Sequence, residues 1–90
     1  MSKTIVTLVG RDKVGIIAAV CNFLAENNIN ILDLRQTTSQ GFINMMMIVD
    51  TDMYDGTVEK LNEGLGPVGE RLGCVIKAQH EDIFNMMHRI

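Results

Sequence analysis

The sequence predicts an α+β domain of order βαββαβ, with a four-stranded antiparallel sheet, two helices on one face and a short C-terminal helix. Three observations carry that expectation. Four runs of β-branched and aliphatic residues end at turn residues, and between them lie two stretches whose apolar residues recur at spacings of three and four. The two middle runs are separated only by Ser39-Gln40-Gly41, a connection of hairpin length that contains glycine. Ninety residues is room for one domain.

Thr4 to Val9 reads as the first strand, closing in a turn at Gly10. Asp12 then stands ahead of Ile16-Ile17-Ala18-Ala19-Val20 as an expected N-cap, and Ile17, Val20, Phe23 and Leu24 form the apolar stripe of a first helix that Asn27-Asn28 ends. Asn30 to Thr38 alternates as a second strand, with Leu32, Leu34 and Gln36 on one side and Asp33, Arg35 and Thr37 on the other. Phe42 to Asp50 is the third: Ile43, Met45, Met47 and Val49 point one way, and Phe42, Met46 and Ile48 the other.

Val58, Leu61, Leu65, Val68 and Leu72 mark a second helix over Thr57 to Leu72, either continuous or broken into two short helices near Pro67. Cys74 to Gln79 follows as the fourth strand, and Glu81 to Arg89 as a terminal helix with Ile83, Met87 and Ile90 along one side. This order in this length is the split βαβ arrangement of ferredoxin-like domains, whose crossovers are right-handed.

Composition removes several function classes. A net charge of −3 and a pI near 5.2 leave no basic stripe for nucleic acid. No apolar run approaches the roughly 20 residues of a membrane span, and the N-terminal run is broken by threonine, so neither a membrane nor a leader peptide is expected. Cys21 and Cys74 lie far apart outside any C-x-x-C pair, which suits inert thiols in a reducing cytoplasm.

Metal and catalytic constellations fail on spacing. Asp50, Asp52 and Asp55 resemble a calcium loop, but Asp55 takes the place of its glycine and Leu61 that of its glutamate. His80 and His88 are too far apart on a helix to form a zinc pair, and Met45-Met46-Met47 alternates across its strand. Ser2 and Ser39 lack a nucleophile elbow, and no phosphate loop is present. No catalytic residue, metal or cofactor is therefore expected.

The segment Gly10-Arg11-Asp12-Lys13-Val14-Gly15-Ile16-Ile17, followed by Asn28-Ile29-Asn30-Ile31, resembles the ligand-binding half of ACT domains, which regulate amino-acid metabolism. Val14 stands where many of those loops carry proline, and Asp12 where some carry asparagine. The closing run from Gln79 to Ile90 is further similar to small stand-alone ACT proteins of unassigned role and to regulators of glycine cleavage. The resemblance implies an ACT-type ligand-binding domain over residues 1–80 with residues 81–90 as its helical extension. It also implies that Arg11, Asp12 and Gly15 of one subunit and Asn30 and Ile31 of its neighbour make one site. On the residues alone, Gly15 lets a ligand approach the first helical turn, whose amides favour a carboxylate, and Asn30 offers both donor and acceptor.

The third strand is apolar on both faces, and two helices cover only one. A homodimer joined edge to edge or face to face is the expected consequence. The reading is then a non-enzymatic regulatory module that binds an amino acid or related small molecule at a subunit seam and acts on a regulated protein partner. The alternative is a protein-interaction module that recruits an enzyme or transcription regulator through its sheet face and C-terminal helix without a ligand.

Overall fold

The structure, a computed structural model, describes residues 3–81 and has the expected architecture. The elements run β1 (Lys3–Arg11), α1 (Ile16–Glu26), β2 (Asn30–Ser39), β3 (Phe42–Asp50), α2 (Val58–Leu72) and β4 (Cys74–His80). The sheet order is β2-β3-β1-β4 with every neighbouring pair antiparallel, which is the ferredoxin-like arrangement. Each βαβ unit therefore skips one strand and places its helix over the gap. The expected terminal helix lies outside the described residues apart from Glu81.

Strand alternation builds the core. Val6 and Leu8 of β1, Ile43, Met45, Met47 and Val49 of β3, and Ile76 and Ala78 of β4 occupy one face and are buried with Val20, Leu24, Leu61, Leu65 and Val68 of the helices. A single buried Leu or Val contributes about 1.5–3 kcal/mol by leaving water, so this layer is the main source of stability. Met46 and Ile48 fall on the face opposite α1 and α2 and are half-buried, while Val9, Phe42 and Val75 on that face are 52%, 52% and 61% exposed.

Three expectations need correction in detail, and one alternative left open by the sequence is decided. Gly10 does not turn the chain: it lies inside β1, opposite Ile43 and Cys74, and the strand runs on to Arg11. Asp12 does not cap α1, which begins at Ile16 with Gly15 at the N-cap and is led into the core by Ile16 rather than Ile17. In β2 the pairing register steps by one between Ile31 and Asp33, so Leu32 is an extra residue that strict alternation does not anticipate. Of the two alternatives for α2, the continuous one holds: it is one helix through Pro67. The proline removes a single bond to the carbonyl of Glu63, and both residues lie on the exposed side, where water reaches that oxygen, while Leu65, Val68 and Gly69 hold the other side on the sheet.

The turns follow their residues. Gln40 and Gly41 have φ of 52° and 82°, as a two-residue type I′ hairpin turn demands. Thr57 caps α2 by accepting a bond from the Lys60 N–H at 3.1 Å, and Gly73 ends that helix in the left-handed region. Asn62 of α2 reaches the outer side of β4: its Oδ1 accepts from the Ala78 N–H at 2.7 Å, and its Nδ2 donates to the Ala78 carbonyl at 3.0 Å.

Candidate functional site

The loop between β1 and α1 is built by its backbone. The Asp12 N–H donates to the Gly41 carbonyl at 2.9 Å, which ties the loop to the β2–β3 hairpin turn, and the Asp12 side chain is left exposed. Lys13 and Val14 lead to Gly15, whose φ of 91° and ψ of −2° lie in the left-handed region. A Cβ there would meet nothing within 4 Å, so glycine is required by conformation and the space before it is open. Among the described residues no side chain caps the first turn of α1, and no acidic residue sits in it. Its positive end thus faces the loop without a charge or a carboxylate to satisfy it.

Arg11 points elsewhere. It pairs with Phe42 across the strands, and its guanidinium lies 5.4 Å from the centroid of the Phe42 ring on the face opposite α1 and α2. Gly15 and α1 lie on the other face.

Asn30 opens β2 and is exposed, while Ile31 is half-buried against the core. Between them and α1 stand Asn28, at φ 59°, and buried Ile29, whose N–H donates to the Leu24 carbonyl. Asn30 pairs with Asp50, and Asp50 with Lys3; Arg11 pairs with Phe42, and Phe42 with Ser39. The two rows are the opposite ends of the sheet, about 26 Å apart at roughly 3.3 Å per residue. Within one chain, then, Asp12 and Gly15 lie together at one pole, with Arg11 at the same pole but on the opposite face, and Asn30 and Ile31 lie at the other pole.

Two hollows carry none of these five residues. One, of about 450 Å³, opens at the Asn30 pole between Thr4, Tyr54, Thr57, Glu59 and His80. Thr4 is 1% exposed there, its Oγ1 lying 3.4 Å from that of Thr51. No motif in the sequence marks this place; a threonine buried in an aliphatic strand is its only local sign. A second hollow, of about 430 Å³, lies over Val9, Thr37, Phe42 and Asn44 near the Arg11 guanidinium. Among the described residues no group of three or more His, Cys, Asp or Glu is placed to hold a metal ion, and no helix is long and apolar enough to cross a membrane. Burial pushes the Cys74 thiol above its ordinary pKa, with Lys13 pulling it partly back.

Comparison with known proteins places this geometry. The ACT domain family matches residues 4–63. A UPF0237 protein of Bifidobacterium longum is 47% identical over 90 residues, covering all of both chains. Among solved structures, an ACT domain protein from Streptococcus pneumoniae is 35% identical, superposes with a TM-score of 0.81 and covers 92% of this chain and 93% of its own. A structure described as a putative glycine cleavage system transcriptional repressor shares the fold at 18% identity and a TM-score of 0.72, over 87% of this chain and 44% of its own.

Proposed function

Because this chain belongs to the ACT domain family, we propose that it is a non-enzymatic regulatory module whose paired copies bind a small metabolite, an amino acid or related carboxylate, at their seam. The observation that carries this reading is the polar separation of the two half-sites. A single chain keeps Asp12 and Gly15 about 26 Å from Asn30, yet each half is an exposed group of the kind a small zwitterion needs. Two copies related by a two-fold axis, with their β2 strands antiparallel, would set the Asn30 pole of each beside the Asp12 pole of the other.

Edge strand β2 suits that role, because it is exposed from Leu32 to Ser39 and, among the described strands, pairs with β3 alone. At each composite site the uncapped start of α1 would receive the carboxylate, and the Asp12 carboxylate and the Asn30 amide would take the ammonium. A ligand bound across the seam favours the paired state over other states by its differential affinity, and this supplies the signal to a regulated protein. The free thiols Cys21 and Cys74 support a reducing, cytoplasmic setting.

A second reading has its own observation. Val9, Phe42 and Val75 form an exposed apolar patch on the face opposite α1 and α2, of the kind a protein-interaction module would use to recruit an enzyme or transcription regulator.

Thermal unfolding in the presence of free amino acids and carboxylic metabolites separates the two. A ligand at a hundred times its Kd adds about 2.7 kcal/mol, a rise of several degrees for a domain this size. The sensor reading expects one compound to give that rise and both Asp12→Ala and Asn30→Ala to abolish it. A midpoint that no compound moves refutes it and leaves the interaction module.

A further inference from the structure

The two edges of the sheet are treated differently, and Asn62 is the reason. Ala78 lies in β4, which among the described strands pairs only with β1, yet both of its main-chain groups bond to Asn62. In an antiparallel strand the N–H and C=O of one residue point to the same side, so Ala78 faces away from β1, and so do Ile76 and His80 two residues to either side. Those outward groups are what an added strand would use. A primary amide carries the same donor and acceptor as a peptide group, so Asn62 stands where the peptide of an incoming strand would stand. Farther along, α2 rests on the same edge: a Cβ at Gly69 would come within 2.6 Å of the Cys74 carbonyl oxygen. At β2 the side-chain contacts among the described residues stay within the strand: Gln36 to Thr38, the Arg35–Asp33 ion pair, and the Asp33 carboxylate accepting from the Leu34 N–H next to it at 2.9 Å.

We infer that Asn62 closes β4 to strand addition by a second copy of this chain, so that association proceeds through β2 alone. The inference deepens the proposed function and rests on its edge-to-edge pairing. A sheet with one usable edge closes after two copies; a sheet with two usable edges grows without closure. Asn62 thus sets the size of the assembly, and with it the number of seams at which a ligand can sit.

The test is Asn62→Leu, which keeps the bulk of the side chain and removes its amide, followed by mass measurement in solution over a wide range of protein concentration. The wild-type mass should level off at the dimer, and that of Asn62→Leu should keep rising. In Asn62→Leu/His80→Pro the proline removes an outward N–H of β4 without touching its bonds to β1, and the mass should return to the wild-type plateau. A folded Asn62→Leu whose mass follows the wild-type curve overturns the inference. A wild type that stays monomeric throughout refutes the β2 dimer instead; Asn62→Leu then supports the inference by dimerising and overturns it by staying monomeric. Should Asn62→Leu fail to fold, hydrogen exchange of the wild type decides: an Ala78 amide protected like those bonded between β1 and β3 supports the clasp, and one exchanging as fast as the free-edge amides of β2 overturns it.

Discussion

Replacing Gly10 by alanine isolates one contact in the sheet. The new Cβ would lie 2.4 Å from Cys74 Cβ, 2.7 Å from Cys74 Cα and 3.0 Å from the Gly73 carbonyl oxygen. Ordinary carbon contacts begin near about 3.5 Å, so β1 and β4 must separate at this row by roughly 1 Å. The obstacle is β4 backbone and the first carbon of a side chain, neither of which can swing aside. Such overpacking costs about 1–3 kcal/mol, and the smaller entropy of an unfolded chain with alanine in place of glycine offsets about 0.4–1 kcal/mol of it. The net loss is about 1–2 kcal/mol, which for a domain of this length lowers Tm by roughly 5–15 °C. Circular dichroism melts at one fixed protein concentration measure it, since an associating protein has a concentration-dependent midpoint. A Gly10→Ala midpoint within a degree or two of wild type would refute the reasoning, because it would mean that β1 and β4 do not approach as closely as Gly10 and Cys74 indicate.

Two further outcomes follow from features of the loop and of β4. Gly15→Ala meets no atom, so its cost is conformational only, about 1–2 kcal/mol for an L-residue in the left-handed region, and Gly15→Asn should recover part of it; equal melting points for the two variants would contradict that account. For Cys74, a pKa raised by burial means that the folded chain resists forming the thiolate. The stability that goes with the neutral thiol is therefore fully present below the ordinary thiol pKa of about 9.0 and is lost as pH rises from there through the raised pKa of the folded state. Cys74→Ala should flatten the alkaline side of the stability curve, and alkylation of Cys74 should be slower than that of a free thiol and slower still in Lys13→Ala; an unchanged alkaline limb, or a faster rate, would count against this.

Much of the architecture was legible because alternation and helical spacing speak about burial directly. Ile43, Met45, Met47 and Val49 were assigned to one face from their period of two, and that face is the buried one. The hairpin at Gln40-Gly41 and the end of α1 at Asn27-Asn28 were equally plain, since Gly and Asn tolerate the positive φ found there. What was not legible depends on tertiary contact. Gly10 looked like a turn because close approach to β4 leaves no local mark. Asp12 looked like a cap because cap preference is local, whereas its backbone is claimed by Gly41, nearly thirty residues away. The candidate site was readable as two motifs, but not that a single chain holds them at opposite poles, because the direction of each strand follows from topology rather than from composition.

The bond between the Asp12 N–H and the Gly41 carbonyl bears on how this domain tolerates change in length. An exposed hairpin tip is ordinarily the place where insertions do least harm. Here the turn is also the peg on which the β1–α1 loop hangs, and a longer turn would carry the Gly41 oxygen away from it. Added residues that leave β2 and β3 perfectly paired would still set the Asp12 loop adrift, so the shortness of this hairpin is a constraint imposed by a segment far from it along the chain.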